Sequence, residues 1–286
     1  MFIDDLNMPA KETYGAQPPI ELLRQMVDGG GWYGRDNAFR SMVDVQVVAA
    51  MGPPGGGRTF VTNRFLRHFN VLALAQVSED SLVHIFRTIL DWHLSKSAFP
   101  GPVAALAPGL INATLEVYTQ SMAKLLPTPT KSHYVFNLRD FARVVQGVMM
   151  LPRESLPRPA DPMDDSAGGG AAHEGVALYR RLWVHEVFRV FYDRLVDDTD
   201  RQWLMGQVKA TVSAHLDTGF DGLMEGLLSA EDKKAGRAIT HEDMRRCFFG
   251  DYADTNEPEP SLRKYAEVAD VVSLLPGRGR EGSGPH

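Results

Sequence analysis

Cysteine is nearly absent. Cys247 is the only one in 286 residues, which excludes an intrachain disulfide and any cysteine-based zinc site. An excess of positive charge is also missing. Thirty Lys and Arg stand against 36 Asp and Glu, a net charge of −6, so nothing electrostatic argues for nucleic acid or an anionic membrane as the main partner. No apolar run reaches the roughly 18 residues of a membrane span. No basic stretch followed by a long apolar segment opens the chain, as a secretory signal would. No internal repeat is visible. These absences lead us to expect a soluble, intracellular protein in a reducing compartment. What remains is ordinary for a folded chain: 44% hydrophobic and 23% charged residues, enough for one large domain or two small ones.

Three short apolar runs read as strands: Met1 to Ile3, Met42 to Met51 (MVDVQVVAAM) and Phe69 to Ala75 (FNVLALA). Short runs with punctuation at both ends suit buried parallel strands. Between the first two lies PPIELLRQMVDGGGWYG. Pro18 and Pro19 open it, Ile20, Leu22, Leu23 and Met26 form one face, and Gly29 to Gly31 stop it, which predicts a short amphipathic helix. From Ser78 the pattern turns helical. Ser78 with Glu79 and Asp80 supplies N-cap chemistry, and Leu82, Ile85, Phe86, Ile89 and Leu90 recur at helical spacing. Further helices are predicted over 110–126, 137–150, 177–196 and 201–215, with a shorter one over 240–248. The stretch PRESLPRPADPMDDSAGGGAAHEG is rich in Pro, Gly and acid and reads as a mobile insertion. After Tyr252 the periodicity fades, and PGRGREGSGPH reads as disordered. The expected organisation is a partial α/β layer over 1–77, helices over 78–151, a flexible insertion over 152–176, helices over 177–252, and a disordered tail over 253–286.

Two motifs carry chemistry. Gly52 to Thr59 (GPPGGGRT) nearly matches the phosphate loop G-x-x-x-x-G-K-[ST]. It fails on three counts. Arg58 replaces the compact lysine. Pro53 and Pro54 remove N–H donors where phosphate needs them. The next apolar run follows about ten residues later, too soon for a crossover helix. A glycine-rich turn leaving a strand end is the better reading, although such a turn can face a ligand. The second motif is Asp4-Asp5, directly after the first apolar run. Adjacent carboxylates at the carboxyl end of a buried strand suit magnesium and water handling beside a nucleotide. A solvated turn fits the same residues.

The ordered series MFIDDLNMP, QPPIELLRQ, VVAAMGPPGGGR and TNRFLRHFNVLAL resembles the third AAA+ module of dynein heavy chains, axonemal in wording. YVFNLRDFARVVQGVM at 134–149, LYRRLWVHEVFRVFYDRLVDDTDRQWL at 178–204 and FFGDY at 248–252 continue the match. The resemblance spans about residues 1 to 252, skipping the insertion. It implies an α/β chain, mainly helical: a partial AAA+ core with three parallel strands, followed by an all-helical lid. It also implies ATP or ADP with Mg²⁺ as ligands of the intact module.

By that resemblance Asp4 is the magnesium-side carboxylate and Asp5 the water-activating acid, one methylene shorter than the usual Glu. Gly52 falls near the sensor-1 position, where it has no side chain to offer. Arg64 and Arg67, in NRFLRHF, resemble the arginine-finger location, with Arg67 favoured; surface solvation of a short helix is the alternative. Arg139, in FNLRD, resembles sensor 2 in the lid. The implied partners are the adjacent AAA+ modules of the same heavy chain, with dynein intermediate and light chains and microtubules reached through the parent protein. The implied location is the cytoplasm and cytoskeleton, in the axoneme of a cilium or flagellum.

Other candidates read as structural. His185-Glu186 begins like H-E-x-x-H, but Arg189 takes the second histidine's place. Glu186, Arg189, Asp193 and Arg194 suit helix-face ion pairs, and Cys247 suits a small buried apolar position. The phosphate loop and helix that precede this acid pair in AAA+ folds are not in the sequence, which leads us to expect a fragment of a longer gene. Two readings stand: a piece of a motor ATPase that regulates microtubule-based movement and binds ATP poorly by itself, or a non-catalytic helical module that packs against neighbours.

Overall fold

The computed structural model describes residues 1–55, 57–157, 165–251 and 263–268, apart from the side chains of 165–169 and 171. The chain divides into two compact units, 1–76 and 77–286.

In the first unit β1 (Phe2–Ile3) is followed by α1 (Pro18–Gly29), the hairpin β2 (Gly31–Tyr33) and β3 (Phe39–Ser41), then β4 (Val48–Ala49) and one turn of helix, α2 (Asn63–Leu66). β1 and β4 pair in parallel, Phe2 opposite Val48 and Ile3 opposite Ala49. Leu6, Ile20, Val61 and Phe65 form a small core. The hairpin was not foreseen. Its turn rests on Asn37, which takes a left-handed φ of 56° that Asn tolerates better than most residues.

Of the three expected parallel strands, two form and pair with each other. Met42 to Met51 contributes just Val48–Ala49. Phe69 to Ala75 is not a strand: Phe69 packs on the small core, and beyond it, with no neighbouring ladder to satisfy its backbone, the segment runs exposed, Leu72 at 87% and Leu74 at 94%.

The second unit is helical: α3 (Glu79–Lys96), α4 (Gly101–Ala104), α5 (Ala107–Lys124), α6 (Leu138–Met149), α7 (Asp165–Val187), α8 (Asp198–His215), α9 (Phe220–Leu223) and α10 (Ala230–Lys234). The Ser78 side chain caps α3 by accepting from Ser81 N–H. Asn137 and Asp140 form a reciprocal capping box on α6. α5 packs against α3, α6 and α8, and α7 against α4, α6 and α9. α7 supplies the most deeply buried face, with Leu182, Trp183, Val184 and Val187 fully enclosed. It runs into a π-helical turn, Phe188–Tyr192. Trp183 Nε1–H donates to Thr114 Oγ1 of α5 at 2.9 Å, which satisfies a buried indole.

Three expectations change here. α7 begins at Asp165, so the latter part of the 152–176 insertion is helical; 158–164 lie outside the described residues. The helix over 240–248 reduces to a 3₁₀ turn, Asp243–Arg246. Within the 253–286 tail, Ala266–Val268 is a strand, β6, antiparallel to β5 (Phe248–Gly250); 253–262 and 269–286 lie outside the described residues. Side chains hold β6. Arg181 grips Glu267 through Nε and Nη2, both at 2.8 Å, and Tyr265 O–H donates to Glu186 Oε1 at 2.9 Å. Periodicity cannot register a strand anchored by partners some 80 residues upstream.

Candidate functional site

The acid pair stands where the parallel ladder ends. Ala50 N–H donates to Ile3 C=O at 2.9 Å and Leu6 N–H to Ala50 C=O at 3.0 Å, so Asp4 and Asp5 sit at the carboxyl end of β1 beside the exit of β4. Leu6 turns inward and is buried, which fixes the direction of the acids before it. Asp4 is exposed and Asp5 half-buried. Asp4 Oδ1 accepts from Asp5 N–H at 3.0 Å. Asp5 takes a left-handed φ of 49°.

Asn7 ties the two strand exits together. It is 1% exposed, and its Nδ2 donates to Gly52 C=O at 2.8 Å. Its Oδ1 is buried without a partner among the described residues.

The glycine-rich segment turns back on itself. Gly55 and Arg58 exchange both backbone hydrogen bonds, at 3.0 and 3.1 Å, while Gly55 and Gly57 adopt φ of 132° and 89°, values that glycine takes without steric cost. The fold returns Arg58 over Gly52. A Cβ at Gly52 would meet Arg58 Cδ at 3.3 Å and Nε at 3.4 Å. Arg58 Nη2 reaches Asp5 Oδ1 at 2.8 Å. The segment is therefore a turn that carries a cation to the acid pair, in keeping with rejection of the phosphate-loop reading.

No group of three or more His, Cys, Asp or Glu side chains that could hold a metal ion occurs among the described residues. An all-protein metal cage is thus excluded among them. The donor set that remains, two adjacent carboxylates, is of the kind Mg²⁺ uses when water and phosphate complete its shell. Asp4, exposed and free of ion pairs among the described residues, fits that need.

The two finger candidates separate. Arg64, in α2, is exposed with no ion-pair or hydrogen-bond partner among the described residues. Arg67, just after it, donates to Asp28 Oδ1 at 2.9 Å. Asp28 of α1 also meets Arg24 and His68, and the Arg67 hydrogen bond, reinforced by Arg24 against partial desolvation, holds its carboxyl below the usual range. In the second unit, Arg139 lies in the first turn of α6 and is exposed without a partner among the described residues. A cation there gains nothing from the helix dipole. Two clefts of this unit, about 360 Å³ and 210 Å³, include none of the candidate residues in their linings. Sequence reasoning missed Asn7 and the Arg58–Asp5 pair, whose members lie 53 positions apart.

Two sequence profiles match. One, described as the P-loop containing dynein motor region, covers residues 1–77. The other, described as the dynein heavy chain ATPase lid domain, covers 85–201. The chain belongs to the dynein heavy-chain family. It is 42% identical over 272 residues to mouse dynein axonemal heavy chain 12, across 95% of this chain and 8% of that one. It is 44% identical over 275 residues to mouse dynein axonemal heavy chain 3, 96% of this chain and 6% of that one. Against human dynein axonemal heavy chain 1 the identity is 50% over 294 residues, again 96% and 6%. This dynein segment therefore spans less than a tenth of the curated relatives it matches. The motor-region match ends at the last residue of the small unit plus one, and the lid match lies wholly within the helical unit. No helix among the described residues is long and apolar enough to cross a membrane.

Proposed function

We propose that this chain is the nucleotide-responsive part of the third AAA+ module of an axonemal dynein heavy chain, working with ATP or ADP and Mg²⁺ to regulate microtubule-based movement. The observation that carries the reading is the acid pair at the carboxyl end of β1, joined by Asn7 to the exit of β4 at Gly52, where open parallel sheets place their ligands. Asp4 would hold the magnesium side and Asp5 would orient water. Arg64, left free on α2, is now the better finger toward a neighbouring module. Arg139 would face phosphate from the lid. Bound Mg²⁺ would neutralise phosphate charge as it develops. The adjacent modules, intermediate and light chains, and microtubules are the partners, and the axonemal cytoskeleton the location.

In a full heavy chain carrying this segment, Asp4→Ala should abolish the MgATP dependence of microtubule release contributed by this module while leaving assembly intact. Unaltered nucleotide dependence would overturn the reading. The rival, a non-catalytic packing module, draws on two observations: Asp5 is already ion-paired to Arg58, and Gly52 offers no side chain. Under it the Asp4 variant would behave as wild type.

A further inference from the structure

We propose that Arg58 is the resident counter-ion of Asp5 and competes with a divalent cation for that carboxylate. The inference rests on the reading of Asp4 as the magnesium-side carboxylate, and adds that Asp5 beside it can be drawn into the same cation's shell.

Three observations place Arg58 there by construction. The loop that carries it is closed by two backbone bonds between Gly55 and Arg58, so its side chain starts from a fixed base. Its stem and guanidinium lie over Gly52, close enough that a Cβ there would press on Cδ at 3.3 Å; the absent side chain at position 52 is what opens the path. Its Nη2 meets Asp5 Oδ1 at 2.8 Å, while its Nε is buried with no acceptor among the described residues. A buried N–H without a partner is costly, and this one lies on the group that touches the acid pair. An ordinary surface pair would leave Nε in water. Here the guanidinium is only partly satisfied, holding Asp5 by one nitrogen and keeping a second donor unspent.

The consequence is competition. A cation that draws Asp5 into its shell must displace Arg58, and a cation bound by Asp4 alone feels Arg58's charge nearby. Arg58 therefore lowers metal affinity when no phosphate is present, and it is the group set free when metal and phosphate arrive together. The Arg58 and Asp5 side chains are 39% and 47% exposed, so the effect is that of a partly screened pair, about two- to fivefold in affinity.

Mn²⁺ binding to the 286-residue chain, read by electron paramagnetic resonance, tests this. Arg58→Gln should tighten Mn²⁺ about two- to fivefold, and Arg58→Lys, which keeps the charge, should stay near wild type. An unchanged or weakened affinity in Arg58→Gln would overturn the proposal. Asp4→Asn and Asp5→Asn are read separately. If both lose Mn²⁺, the metal-side reading stands whatever Arg58 does; if neither does, that reading itself fails and takes the proposal with it. In the unaltered chain, Mg²⁺ titration should shift the Arg58 Nε–H resonance, and Asp5→Asn should abolish the shift. An unmoved resonance counts against the proposal even if the Arg58 variants do not fold.

Discussion

Gly147 of α6 lies directly against the carboxylate of Glu186 on α7: a Cβ at 147 would fall inside the van der Waals envelope of Oε2. Glu186 is fully buried. It accepts from Arg189 Nε and Nη2 at 2.9 and 2.6 Å and from Tyr265 O–H, so it cannot swing aside without stranding three donors. Gly147→Ala should cost about 2–4 kcal/mol in urea unfolding of the helical unit. The pair should also be non-additive: in the Glu186→Ala background, the added methyl should cost much less.

The strap formed by β6 should be separable from the helices it covers. Tyr265→Phe removes one hydrogen bond to a buried carboxylate and should cost about 1.5–3 kcal/mol. Hydrogen exchange should then rise first in 248–250, the strand paired with 266–268. Uniform acceleration across α5 and α8 would count against this assignment.

His185 gives the helical unit an acid-side weakness. Its Nδ1 faces Cys247 C=O at 3.0 Å and its ring lies beside Phe249. Burial pushes its pKa down, against the opposing pull of Glu186, that hydrogen bond and Asp193, and with help from Arg189. The unfolded imidazole therefore binds protons more readily than the folded one, so its stabilising contribution is full above about pH 6.5 and declines as pH falls below it. The melting temperature of the helical unit should drop between pH 7.5 and 5.5. His185→Asn, still able to donate to Cys247, should flatten that slope. Asp193, raised by burial, works in the opposite sense at lower pH.

The small unit should open first. Its core is four buried residues, against some forty in the helical unit, and small cores are marginal. Limited chymotrypsin treatment should cut at Leu72 or Leu74, both nearly fully exposed, and release an intact helical unit. Equal survival of the two units would contradict this.

The helices were legible because each announces itself locally. Ser78, Asn137 and the spacing of Leu82, Phe86 and Leu90 are signals read within a few residues. The acid pair was legible as a motif. What escaped was everything made by distant partners. Phe69 to Ala75 has the composition of a strand but no ladder to join. Ala266–Val268 lies in a segment that reads as disordered, yet Arg181 and Glu186 hold it. Arg58 reads in sequence only as a poor substitute for the phosphate-loop lysine, and its attachment to Asp5 depends on a loop closure that no linear pattern records.

The backbone at Asp5 adds a constraint of its own. A left-handed φ of 49° is one that Asp and Asn accept more readily than longer side chains do. The shorter acid is thus what the chain's own path selects at this corner, and extending it to Glu would trade reach for torsional discomfort. Whatever chemistry position 5 performs, its vocabulary was narrowed first by geometry.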